Sequence, residues 1–363
     1  MLPLPSDDKK VSSFLVFYII ISTQIGIGIL SFQRYLAKEA GQDAWISIII
    51  SAVSIHIILW MLYQILNKGN NDIFAIHKDL FGKWIGGLLS LALVAYMVLA
   101  TVTVIRRYIE VVQVWMFYQM STWYITFILA VLIYVYVIGG FRVIVGLCFF
   151  SFFILIPLLS LNIFALEQPQ FSYLFPIMEH SASDLLAGSK VMSLYFSGFE
   201  TILFFYPFIK NAPSSQKWAQ LGIAVSTFFY LFSALICFVY FSFNQLEQTI
   251  WPQVTLWKIV DFPFLERFEY AGITAWLFII LPNLCIYMWA ATRGVKQLFS
   301  MKQKYSLVLF LSIVIVATPF FKERAQLYSL IDFIGVVAMY VIYAYIPFLF
   351  FYQLIRNKLR GTS

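Results

Sequence analysis

Along the chain, long apolar runs alternate with short polar intervals. A helix needs about 20 apolar residues to cross the hydrocarbon core of a bilayer. That ruler predicts ten spans, near residues 12–37, 43–66, 84–114, 122–139, 142–165, 185–209, 216–243, 267–297, 305–320 and 328–355. The fold class expected is an all-α integral membrane protein of ten transmembrane helices, one membrane domain over residues 1–363. Connections are short except 166–184 and 244–266. In the second, "TIWPQVTLWKIVDF" reads as an interfacial helix with Trp251 and Trp257 at headgroup level. The first apolar run outlasts a signal-peptide core and lacks a small-x-small cleavage site, so it reads as an uncleaved first span.

Two runs are interrupted. Gly26 and Gly28 fall near the middle of the first, although Gly costs roughly 1 kcal/mol against Ala inside a helix. Ten spans divide into two sets of five, and five is odd, so the second set enters the membrane from the opposite side. The halves, about 12–165 and 185–355, then form an inverted 5+5 repeat in which span six answers span one. Span six reads "VMSLYFSGFETILFFYPF", with Ser197, Gly198 and Glu200 near its centre. Glycine-interrupted segments at corresponding positions of two halves point to a transporter-type binding site. Unwound backbone in hydrocarbon survives only where protein, water or a ligand pairs its N–H and C=O groups. The outer half of span one would begin with a positive dipole end, suited to a carboxylate. The outer half of span six would finish with carbonyls, suited to an ammonium or a cation, so a zwitterionic amino acid satisfies both. In this reading Gly26 and Gly28 let the backbone open and leave room beside it. The alternative is close helix packing, the reading given to Gly82 and Gly86 in "GKWIGG".

Glu200 is the only acidic residue near the centre of a span, where a charge costs about 3 kcal/mol on insertion scales. It reads either as a cap on the inner half-helix or as a proton-responsive carboxylate beside the ligand. Arg106, Arg107 and Glu110 lie toward the outer end of span three. Snorkelling and an i,i+4 pair between Arg106 and Glu110 are preferred there over an external gate. Tyr96, in mid-span three, reads as a packed phenol, and Asn283 as a pocket donor or an interhelical hydrogen bond. Pro157 and Pro282 are expected to kink their helices.

Composition agrees with the pattern: 62% of residues are hydrophobic and 11% charged, where a soluble domain has about 25% charged. The net charge of +7 is a topology signal. Basic residues cluster at and just after the inner end of span eight (Arg293, Lys296, Lys302, Lys304) and in the tail (Arg356, Lys358, Arg360). The positive-inside rule then puts both termini in the cytoplasm. No basic stripe or low-complexity tail suggests nucleic acid. Cys148, Cys237 and Cys285 are far apart and read as buried thiols. His56, His77 and His180 are equally scattered, so neither a metal nor a cofactor is expected. Motifs of metalloproteases, nucleophile elbows and phosphate loops are missing.

Several short stretches together carry a resemblance: "GIGIL" in span one, "GKWIG" opening span three and "SGFETILFF" in span six. "IWPQVTLWK" followed by "ERFE" precedes span eight, and "TRGVKQLF" closes it. In their order and spacing the chain resembles the B subunit of GerA-type spore germinant receptors, within the amino acid–polyamine–organocation superfamily. The resemblance implies a LeuT-like fold in the lipid bilayer of the spore inner membrane, working with separately encoded A and C subunits. It implies recognition of a small-molecule germinant, typically an amino acid, around broken helices one and six. By position that site maps to Gly26, Gly28, Ser197, Gly198 and Glu200, with Tyr96, Ala100 and Asn283 from helices three and eight. Two other functions compete: a proton- or sodium-coupled amino-acid transporter, and a structural subunit whose breaks are vestigial.

Overall fold

The computed structural model describes residues 4–69, 71–261, 263 and 266–359. Arg360 of the basic tail and Phe262 of the expected interfacial segment lie outside them. Regular structure among the described residues is helical, with no strand. The helices are α1 (Val16–Gln24), α2 (Phe32–Ala40), α3 (Ala44–Gly69), α4 (Ile73–Trp115), α5 (Thr122–Ile138) and α6 (Phe141–Ser160). They continue with α7 (Ala182–Tyr195), α8 (Ile202–Phe205), α9 (Gln216–Tyr240), α10 (Phe243–Gln248) and α11 (Pro252–Trp257). The last four are α12 (Phe268–Phe299), α13 (Gln303–Ala317), α14 (Arg324–Tyr340) and α15 (Ile346–Leu359).

Among the described residues, 7 helical stretches are long and apolar enough to cross a bilayer, or 8 if the bent pair Ala182–Tyr195 and Phe199–Phe208 counts as one. This makes the chain a multi-pass membrane protein. The number falls short of the ten expected for two physical reasons. The break after Gln24 cuts the first apolar helix down to Ser13–Gln24, while α2 runs on through a turn at Gly41–Asp43 into α3. Thr122–Ile138 is also short.

Of the seven candidate spans among the described residues α12 is the most enclosed, with 72% of its apolar stretch buried, against 33% for Gln303–Phe320 and for Arg324–Leu359. It packs on α4, α6, α1 and α11. Lipid tails are as apolar as leucine, so close approach has to hold such helices together. Gly294 of α12 accordingly fits against Phe74 and Val94, and Gly272 against Trp257. The outward faces carry Trp60, Phe150, Phe278 and Tyr340, all exposed as lipid-facing residues should be. Where α14 passes into α15, a π turn at Val341–Tyr345 brings the Tyr343 hydroxyl to Ser54, at 2.6 Å, and to Ser193, at 2.8 Å.

Two local expectations change and one holds. Gly82 has φ +76 and nothing near its missing Cβ, so it bends α4 instead of packing. Gly86 does pack, because a Cβ there would meet the His77 carbonyl oxygen at 2.5 Å. Trp251 and Trp257 are both buried, and the Trp257 indole donates to the Leu158 carbonyl at 3.1 Å. They lock α11 inward and are not headgroup anchors.

Polar clamps fix the helix ends. Asp72 accepts from the Ala75 N–H at 3.2 Å, capping α4, and pairs with Arg293 of α12 at 3.1 Å. At the turn between α2 and α3, buried Asp43 accepts from the backbone N–H groups of Met178, Glu179 and His180 at 2.7, 2.8 and 3.1 Å. That carboxylate ties the segment before α7 to the end of α2.

A candidate binding cavity between two helix breaks

The first break follows Gln24. The backbone extends through Ile25 and Gly26, makes a 3-10 turn over Ile27–Leu30 and resumes as α2. Neither Gly26 nor Gly28 is in the left-handed region. What Gly28 supplies is room, since a Cβ there would stand 2.6 Å from Tyr195 Cδ1. The second break follows Tyr195. Gly198 sits at φ +117, and a Cβ on it would run into the Thr23 carbonyl. Backbone conformation and close approach both demand glycine there.

The two breaks face each other, and the protein satisfies much of their backbone. The Tyr230 hydroxyl of α9 shares its hydrogen between the carbonyls of Gln24, at 2.8 Å, and Tyr195, at 2.9 Å. The Gln24 amide donates to the Phe196 carbonyl at 3.0 Å. The Asn283 amide of α12 donates to the Thr23 carbonyl at 2.8 Å. The carbonyls at the end of α7, expected to be open to an ammonium, therefore already have donors.

A cavity of about 160 Å³ opens between the breaks. Gly26, Gly28, Ser197 and Asn283, four of the residues singled out in the sequence, line it together with Gln24, Tyr195 and Tyr230. The other four stand outside its lining. The Glu200 carboxyl is buried and accepts from the Gly198 N–H at 2.6 Å and from the Tyr96 hydroxyl at 3.1 Å. It caps the turn that begins the second half of the broken helix. Tyr96 holds it from α4, and Ala100 is buried one turn further along α4. Gly198 is spent on Thr23.

Sequence reasoning passed over Gln24 and Tyr230, and it set Arg107 aside as a snorkelling or locally paired residue. Arg107 lies some 16 Å beyond Tyr96 along α4, at 1.5 Å per residue. It lines the cavity and donates to Ser31 Oγ at 2.5 Å. Nor do Arg106 and Glu110 pair with each other. Arg106 donates to the carbonyls of Phe321, at 2.6 Å, and Lys322, at 3.2 Å, while Glu110 takes Arg324 at 3.1 Å. Both reach the segment that starts α14, a long-range choice that an i,i+4 reading cannot see. The available signal was that an ionisable residue in a span marks function by default.

Membrane helices in which two breaks meet at one small polar cavity define a transporter-like membrane protein. The chain belongs to the spore germination protein family, whose model matches residues 10–327. It is 40% identical over 353 residues to the spore germination protein GerQB of Bacillus cereus, covering 97% of this chain and 98% of that protein. Spore germination protein B2 of Bacillus subtilis (strain 168) is 28% identical over 318 residues, covering 86% of each. Among solved structures, the chain is similar to a Na+-coupled sialic acid symporter in a substrate-bound, outward-open state. That likeness has TM-score 0.63 and 10% identity, covering 93% of this chain and 80% of the symporter. A nucleobase-cation-symport-1 family transporter, closed with bromovinylhydantoin bound, gives TM-score 0.61 and 12% identity, covering 93% of this chain and 78% of that one. At such identities the likeness is one of fold.

Proposed function

We propose that the chain is the B subunit of a GerA-type germinant receptor, which binds a small germinant, an amino acid, between its two helix breaks. Binding changes the balance of two packings of the membrane domain, and the separately encoded A and C subunits carry the signal onward in the spore inner membrane. The domain is read as a 5+5 inverted repeat of ten spans with both termini cytoplasmic. The observation that carries the proposal is the convergence of Gly26 and Gly28 of the first break and Tyr195 and Ser197 of the second on one cavity. The family membership gives that cavity its biological setting. Germination of spores lacking the gene, screened across amino acids, nucleosides and sugars, tests it. A normal response to every germinant overturns the proposal.

The symporter-like fold favours a second reading, ion-coupled uptake of a small solute. A sensor needs only differential affinity of its ligand for two states, whereas a transporter must also release the ligand on the far side. Glu200, the one acidic residue at mid-span, is engaged by Gly198 and Tyr96. The expected result in proteoliposomes is germinant binding without concentrative uptake. Accumulation driven by a proton or sodium gradient would establish the transporter instead.

A further inference from the structure

Among the described residues, the buried Arg107 makes no ion pair. Its residue exposure is 7%. Its guanidinium lies 5.5 Å from the centre of the Trp251 ring and beside the Tyr195 hydroxyl. Among the described residues no carboxylate comes within ion-pair distance of it, and its Nε has no acceptor. Arg293 has Asp72, Arg324 has Glu110 and Arg356 has Asp79; Arg106, buried and likewise without an ion pair, donates to the Phe321 and Lys322 carbonyls and does not line the cavity. A buried, unpaired charge costs several kcal/mol, so an uncompensated one lining a cavity calls for a partner that enters it.

The same cavity holds two acceptors without donors, Gln24 Oε1 and Asn283 Oδ1. Tyr287 lines the same cavity beside Asn283, whose Oδ1 takes no hydrogen bond. These amides cannot simply turn over. Their nitrogens already donate to the Phe196 and Thr23 carbonyls, and a flip would set oxygen against oxygen. The oxygens are therefore held as acceptors by the backbone of the two breaks.

We infer that Arg107 determines specificity by binding a carboxylate on the ligand, while Gln24 and Asn283 accept hydrogen bonds from N–H or O–H groups at its other end. A guanidinium presents paired donors in the geometry of a carboxylate. A cavity near 160 Å³, close to the ~150 Å³ that admits benzene in an engineered core, selects a short side chain. The inference rests on the reading that this cavity is the germinant site.

The test uses the full chain in lipid nanodiscs and measures binding of L-alanine, L-valine and L-leucine, each against its amide and its corresponding amine, with a neutral nucleoside as a second chemical class. The expected result is that at least one acid binds tenfold or more tighter than its amide. Arg107→Gln should abolish that preference, and Arg107→Lys should keep part of it. Both variants are checked for monodispersity, and the Lys variant covers the case in which Gln fails to fold. Equal binding of acid and amide, no binding of any acid, or an acid preference that survives in Arg107→Gln overturns the inference. Gly28→Leu separates the two levels. Nucleoside binding that requires Gly28 but ignores Arg107 removes the inference and keeps the site, whereas ligand binding indifferent to Gly28→Leu removes the site itself.

Discussion

The two breaks look alike in sequence and differ in what they ask of glycine. At the second, Gly198 carries a left-handed φ and abuts a backbone carbonyl that cannot yield. At the first, Gly28 has no such φ, and its neighbour is the ring of Tyr195, a side chain that can tilt. One glycine builds the chain path and the other keeps a space open. A glycine seen in a membrane span thus has two separable meanings, and only the second bears directly on a ligand.

This contrast sets the order of expected effects. Gly198→Ala should be the most damaging, since positive-φ strain alone costs about 1–3 kcal/mol and the Thr23 contact adds to it. The measurement is the yield of monodisperse protein in mild detergent, and a wild-type yield would show that the second break tolerates a side chain. Gly28→Leu should come next and act differently. Insertion stays intact, because leucine favours a span, while the germinant response disappears. Spores with normal amounts of this variant and a normal response would reduce Gly28 to a packing residue.

Tyr230→Phe removes the one hydroxyl that serves both breaks and leaves the Gln24 and Tyr195 carbonyls short of a donor. Stability should fall by about 1–3 kcal/mol, read as a lower melting temperature. An unchanged melting temperature would mean that the breaks are not stapled there. Glu200→Gln should have the smallest effect. Its amide oxygen can still accept from the Gly198 N–H, so the dose–response curve should move by less than tenfold, under about 1.4 kcal/mol. A larger shift would assign Glu200 a charge-dependent role in sensing.

Hydropathy made the membrane class, most helix limits and both breaks legible, because burial in lipid and backbone polarity leave their mark on consecutive residues. The contacts between distant segments were not legible in this way. Nothing local tells Glu110 to choose Arg324 over Arg106, or turns Trp251 and Trp257 inward. Nor could the glycines at the first break be read as space-makers without knowing that Tyr195 stands opposite. Gly26, Gly28 and Ser197 were singled out because the breaks announce themselves, and Asn283 because it stands beside Pro282 in its span. Arg107 and Tyr230 escaped because each acts from another helix across the cavity.

The carboxylate of Asp43 has a practical consequence. Three backbone N–H groups of the segment before α7 hang on it, so a tilt of α2 should drag that segment along. The neighbouring Ile177 is 50% exposed, and the native thiols Cys148, Cys237 and Cys285 are all buried. A fluorophore attached to a cysteine placed at position 177 would therefore sit on a pointer geared to the first broken helix, offering an optical readout of its motion in the intact protein.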